Sequence, residues 1–108
     1  MEKLLRKEYF DNYLKYVKEI KEFAKEYFKD NFYQLILFGS IIDGNYSIGL
    51  SDIDIAIILK NDIDLKEKVK FLVEIDKKYK DHPFEIHIID INKWENWYKR
   101  FVKNYKII

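Results

Sequence analysis

Two short apolar runs, each joined to a polar motif, constrain the fold of this chain more than any other feature. Residues 35–38 (LILF) end at Gly39-Ser40, whereas Asp52 and Asp54 open the run 55–59 (IAIIL). Apolar runs of this length are typical of strands that are covered on both faces. Residues two apart on a strand share a face, so the two aspartates are expected to point the same way. The sequence therefore predicts two buried strands that carry polar groups at their ends.

The two motifs together indicate a site for a metal ion and a nucleotide triphosphate. Neighbouring carboxylates repel each other and raise one pKa unless a cation lies between them. Hard oxygen ligands favour Mg²⁺, which also binds phosphate oxygens, and two such ions can stabilise a departing pyrophosphate. The turn at Gly39-Ser40 can present N–H groups and a hydroxyl to a phosphate. The alternative, that Asp52 and Asp54 only cap an edge strand, stays open from these residues alone.

A third strand is predicted over residues 84–89, with Glu85 and His87 on one face. If this strand lies beside the strand that Asp54 opens, Glu85 completes a cluster of three carboxylates. The third acid of such a cluster can bind metal and act as general base on an incoming hydroxyl. The alternatives are a solvent-facing Glu85 and a His87 that makes only structural hydrogen bonds.

Helical periodicity accounts for most of the remaining sequence. Residues 3–29 are predicted to form one long amphipathic helix. A second helix is predicted to start at an Asp64 N-cap and run to about Lys80. The last is predicted to start at an Asn92 N-cap and to carry an apolar aromatic stripe that reaches Tyr105.

The alternation of helices and strands predicts an α/β (α+β) fold, with helices packed on a small mixed sheet. With 108 residues, we expect one domain over residues 1–108. Three strands are evident, and the loop 43–50 is long enough to hold a short fourth.

Composition excludes several classes of function. The chain has no cysteine, so disulfides, thiolate zinc sites and a cysteine nucleophile are excluded. Its net charge of +1 does not favour direct nucleic-acid binding. Because no apolar run approaches the ~18 residues of a membrane span, we expect a cytoplasmic protein that does not contact membranes. Aromatic residues make up 18% of the chain, which favours an exposed interface for a partner or a homo-oligomer.

The sequence Leu37-Phe38-Gly39-Ser40, followed by Ser51-Asp52-Ile53-Asp54 in an apolar strand, resembles the nucleotidyltransferase superfamily related to DNA polymerase β. The size is similar to that of the minimal, MntA-like nucleotidyltransferases. This resemblance implies transfer of a nucleoside monophosphate, AMP from ATP, to a hydroxyl. It also implies that Gly39 and Ser40 bind the triphosphate, and that Asp52, Asp54 and Glu85 are catalytic and hold one or two Mg²⁺ ions.

Minimal members of this superfamily are often encoded beside a HEPN-domain RNase, which they neutralise as antitoxins, in some cases by adenylylating a tyrosine. The resemblance therefore implies a HEPN-domain partner and an NTP substrate. Here residues 41–44 (IIDG) follow Gly-Ser, where the family often has Arg-x-Arg-Gly, and Glu85 stands where Asp is usual. Lys60 or the basic C-terminal helix is a candidate for the missing positive charge. A catalytically weak or inactive antitoxin that binds its partner by contact is the alternative.

Overall fold

A four-stranded mixed sheet forms the centre of the computed structural model, which describes residues 2–108 and, for residues 2–4, the backbone only. Its elements, in chain order, are α1 (Glu2–Asp11), α2 (Tyr13–Phe28), β1 (Phe32–Phe38), α3 (Ser40–Asp43), β2 (Ile53–Leu59), α4 (Leu65–Lys78), β3 (Phe84–Asp90), α5 (Ile91–Lys93), a π-helical segment (Trp94–Tyr98), α6 (Lys99–Phe101) and β4 (Tyr105–Ile107). This architecture confirms the predicted fold class. None of the described helices is long and apolar enough to cross a membrane.

The strand order β3-β2-β1-β4 brings the predicted motifs together at one end of three neighbouring strands. Strand β2 is antiparallel to β1 and pairs Asp54 with Phe38, the last residue of β1. Strand β3 is parallel to β2 and pairs Glu85 with Asp54. A parallel pair needs a long crossover connection, which α4 supplies here. The end of β1 and the starts of β2 and β3 therefore lie side by side.

Each face of the sheet carries its own hydrophobic core, because side chains alternate along the strands. The large core packs the helices α1, α2 and α4 against the face that contains Ile53, Ile55 and Ile57. The small core lies on the opposite face and packs residues 91–102 against it; its buried members are Ile36, Ala56, Ile58, Ile89 and Trp94. Asp54 shares its face with Ala56, so the carboxylates lie on the side of the small core.

The prediction of one helix over residues 3–29 is wrong at Asn12, where α1 and α2 meet. Asn12 has φ −121° and ψ 34°, outside the helical region, and its side chain donates a hydrogen bond to Glu8. Short polar side chains such as Asn compete with the helical hydrogen-bond pattern in this way. The apolar stripe continues across the break, with Tyr9 and Val17 both buried in the large core.

The C-terminal region also departs from its prediction. Asp90, and not Asn92, is the N-cap of the last helix, since its carboxylate accepts a hydrogen bond from the Lys93 N–H. The helix ends at Phe101, and Tyr105 belongs to β4, the fourth strand, which pairs with β1. Residues 44–52, which include all but the first residue of the loop 43–50 that could have held a fourth strand, form turns and irregular structure.

Candidate metal centre

Asp54, Glu85 and His87 form a cluster at the start of β2 and β3. One potential ligand atom from each lies within 4.8 Å of the other two. The parallel register explains the cluster: Glu85 is the direct neighbour of Asp54, and His87 is the neighbour of Ala56, whose methyl group leaves room for the imidazole. The sequence placed Glu85 near Asp54 on the condition that β3 lies beside β2, and the structure meets this condition.

The surroundings of the Asp54 carboxyl group disfavour its charged form. Its burial, followed by repulsion from Glu85 and Asp52, raises its pKa from the ordinary 3.8 to about 6. A divalent cation bound there would offset both effects, and carboxylate oxygens are ligands that hard divalent cations prefer. The donor set of the cluster thus fits a divalent cation.

Gly39 brings the turn after β1 directly against this carboxylate. A Cβ atom at Gly39 would lie 2.0 Å from Oδ2 of Asp54, so only glycine permits the approach. Its φ of 83° and ψ of −157° lie in a region that is essentially confined to glycine. Ser40 begins α3 immediately after it, and the N–H groups of Ile42 and Asp43 donate to the Gly39 carbonyl. The Gly-Ser motif and Asp54 are therefore one structural unit.

Asp52 lies outside the cluster and faces Arg6. The Asp52 side chain is 53% exposed, and its carboxylate lies 3.8 Å from the guanidinium of Arg6. Arg6 also donates hydrogen bonds to the carbonyls of Ile48 and Ser51. No sequence pattern points to Arg6, because more than forty residues separate it from its partners.

A cleft of about 430 Å³ opens beside the cluster, between the turn at Gly39 and the end of the last helix. Its lining includes Asp54, Asp43, Phe101 and Lys103. Lys103, which follows the last helix, is one of two candidate sources of the positive charge that an arginine after Gly-Ser would provide, and it lines the same cleft as Asp43. The other proposed source, Lys60, follows the far end of β2 and hydrogen-bonds through its N–H to Asn31.

A larger cavity, about 750 Å³, lies on the opposite side of the molecule, between α2 and α4. Its walls are mainly apolar and contain Phe23, Leu65, Val69 and Val73. One carboxylate, that of Glu74, lines it. Without converging polar groups this cavity offers no chemistry comparable to that of the cluster.

Comparison with known proteins identifies the family of the chain. The sequence profile of the nucleotidyltransferase domain family matches residues 17–108. The chain belongs to the nucleotidyltransferase domain family. The matched region contains Gly39, Asp54 and Glu85, together with all four strands of the sheet. None of the curated proteins compared with this nucleotidyltransferase domain is significantly similar to it.

Two solved structures resemble the nucleotidyltransferase domain described above. One is a crystal structure described as that of a candidate nucleotidyltransferase; it is 42% identical, with a TM-score of 0.67, and the match covers 86% of this chain and 97% of that chain. The other, from Sulfolobus solfataricus and described in the same way, is 23% identical with a TM-score of 0.65. That match covers 95% of this chain and 85% of the other, and it shows the common fold.

Proposed function

We propose that this nucleotidyltransferase domain transfers AMP from ATP to a hydroxyl group of a HEPN-type RNase partner, and so acts as its antitoxin in an MntA-like pair. The observation that carries the proposal is the pairing of Asp54 with Glu85, with Gly39 packed against Asp54 at the mouth of a cleft. This arrangement supports the proposal, because the family resemblance implies metal or triphosphate binding for all three of these residues.

In the proposed reaction, the acceptor oxygen forms a bond to the α-phosphorus of ATP. The bond between that phosphorus and the oxygen bridging to the β-phosphorus breaks, and pyrophosphate leaves. Glu85, more exposed than Asp54, accepts the proton of the acceptor hydroxyl. Ser40 and the backbone beside Gly39 bind the outer phosphates. Asp54 and Glu85, joined by Asp52 once it leaves Arg6, would hold one or two Mg²⁺ ions, which would neutralise charge on the phosphate oxygens.

A protein acceptor is supported by the surface beside the cleft. Trp97 and Phe101 are 57% and 68% exposed, and their ring centroids lie 5.5 Å apart. Exposed aromatic side chains near an arginine, here Arg100, are typical of protein interfaces. A second copy of the chain could occupy the same surface, which size measurement of the isolated protein would reveal.

Incubation with α-labelled ATP, Mg²⁺ and a HEPN-domain protein encoded beside this chain tests the proposal. We expect label on the partner, and no label with Asp54→Asn or Glu85→Gln. Glu74→Gln, an acid on the opposite side of the molecule, is the matched control and should transfer label normally. Absence of transfer by the unmodified protein, or equal transfer by Asp54→Asn, would contradict the proposal.

The second candidate is a non-catalytic antitoxin that masks its partner by contact. Arg6 favours it, because this side chain pairs with Asp52 where the family resemblance implies a metal ligand. Asp43 favours it too, since it adds negative charge to the wall of the cleft. If Asp54→Asn still blocks the RNase fully, and ATP with Mg²⁺ does not raise the melting temperature of the unmodified protein, this function is the correct one.

A further inference from the structure

The imidazole of His87 is the one nitrogen donor among the clustered side chains. Its Nε2 lies 3.6 Å from Oε1 of Glu85, and its side chain is 28% exposed. Two ligand atoms of one cation with bonds of about 2.1 Å lie at most about 4.2 Å apart. The three ligand atoms of the cluster lie within 4.8 Å of one another, so only small side-chain movements are needed to place them around one ion.

The other ring nitrogen of His87 already has a partner. Nδ1 lies 3.3 Å from the hydroxyl of Tyr98, on the π-helical segment. The ring centroids of Phe38 and Tyr98 each lie 5.7 Å from that of His87. Histidines that bind metal almost always use the second nitrogen in a hydrogen bond, which fixes the tautomer and the ring orientation. Tyr98 therefore holds the ring in a position that leaves Nε2 free to face Glu85.

A nitrogen ligand changes which cations the site prefers. Mg²⁺ demands near-ideal octahedral geometry and is bound mainly by carboxylates, phosphates and water. Imidazole is a good ligand for Fe²⁺, Ni²⁺, Cu²⁺ and Zn²⁺, and the affinity of a given site for first-row divalent cations rises from Mn²⁺ towards Cu²⁺. Two carboxylates and one imidazole thus form a mixed set that suits a transition cation more than Mg²⁺.

We propose that His87 is a cation ligand, that Tyr98 is its positioning residue, and that the site binds first-row transition cations in preference to Mg²⁺. The inference rests on the metal site of the proposed function and adds a ligand and a selectivity to it. Mn²⁺ is the stringent probe, because it is the weakest binder of its series.

The experiment measures Mn²⁺ binding to the full chain by the loss of the free-ion electron paramagnetic resonance signal, with Mg²⁺ as competitor. We expect Mn²⁺ to bind at least about tenfold more tightly than Mg²⁺. His87→Phe keeps the aromatic packing and should weaken Mn²⁺ binding by about tenfold while changing Mg²⁺ binding less than about twofold. Tyr98→Phe, which removes one hydroxyl, should weaken Mn²⁺ binding by about threefold or more. His82→Gln changes the second histidine of the chain and is the control that should bind normally.

The unmodified protein offers a test that does not depend on the folding of a variant. Bound Mn²⁺ should show electron spin-echo modulation from a coordinated imidazole nitrogen, and its absence would overturn the inference. Equal losses of Mn²⁺ and Mg²⁺ affinity in His87→Phe would overturn it as well. If Asp54→Asn abolishes binding but His87→Phe does not affect it, only this inference fails. If neither Asp54→Asn nor Glu85→Gln affects binding, the metal site of the proposed function fails too.

Discussion

Gly39 combines two constraints in one residue, a backbone conformation that other residues avoid and contact with a carboxylate. We expect Gly39→Ala to lower the free energy of unfolding by about 1–3 kcal/mol and to weaken cation binding, because the added methyl group displaces Asp54. Urea denaturation and cation titration measure the two effects. Gly49→Ala is the matched control, since a Cβ there meets nothing within 4 Å. Equal stability of the two variants would contradict the proposed tight contact.

Asp54 should make stability depend on pH in a defined direction. Its pKa is raised on folding from 3.8 to about 6, so the native state holds the proton more tightly than the unfolded state does. Stability then falls as pH rises between these values and stays lower above them. With a chelator present to remove bound cations, the Asp54→Asn variant should therefore melt at a higher temperature than the unmodified protein at pH 8. The difference between the two melting temperatures should shrink towards pH 4.

The exposed acid Asp30, which lies outside the cluster, provides the control for this measurement. Asp30→Asn should follow the unmodified protein across the pH range. A melting-temperature difference between Asp54→Asn and the unmodified protein that does not change with pH would contradict the raised pKa.

The individual site residues illustrate what a sequence pattern can and cannot predict. The position of Glu85 beside Asp54 was predictable only on the condition that β3 pairs with β2: alternation along the strand indicates its face, but chain order alone does not determine the neighbour, since β4 follows β3 and pairs with β1. Arg6 was not, because its partners lie in a loop without periodicity, and the pairing depends on how α1 packs. Lys103 follows the last helix, and its position beside the cleft depends on where that helix ends.

Among the elements, α1 contacts the loop between α3 and β2 through two side chains: Arg6, and Phe10, whose ring stacks on that of Tyr46. Arg6 binds the carbonyls of Ile48 and Ser51, and its guanidinium lies over the ring of Phe10. We expect Arg6→Met to speed amide hydrogen exchange and proteolysis in residues 44–52, because two part-buried hydrogen bonds to the loop are lost. Lys7→Met is the control, since Lys7 pairs with Asp11 on the surface of the same helix. Equal exchange in both variants would show that the loop is held by other contacts.

A local capping signal located the start of α4 correctly, whereas the capping signal at Asn92 misplaced the start of the last helix by two residues. Asp64 is the N-cap of α4 as predicted, and its carboxylate accepts a hydrogen bond from the Glu67 N–H. The break at Asn12 was missed, because the apolar period continues through it. β4 was missed for a different reason: three exposed residues carry too little pattern to separate a strand from the end of a helix.

On the scale of the whole molecule, the small core attaches the C-terminal region to the sheet. Trp94 is only 2% exposed, and its ring lies 5.2 Å from that of Tyr105. We expect Trp94→Ala to lower the free energy of unfolding by about 3–5 kcal/mol, as for other buried tryptophans. Chemical denaturation measures this value.

Trp97 lies three residues away and is the natural control. Because it is 57% exposed, Trp97→Ala should change stability by less than about 0.5 kcal/mol. The same variant should reduce labelling of the partner, if that surface binds the acceptor. Comparable losses of stability in the two variants would mean that the small core does not hold this region.

The parallel pairing of β2 with β3 also determines when the site can assemble during folding. Asp54 and Glu85 belong to one β-α-β unit, and no residue of β4 is needed to bring them together. The chain segment between β2 and β3 is shorter than the segment between β1 and β4. Closing a shorter segment into a loop costs less conformational entropy. Stopped-flow refolding should therefore show cation binding before β4 pairs. A cation present during synthesis would then select the native register at an early stage.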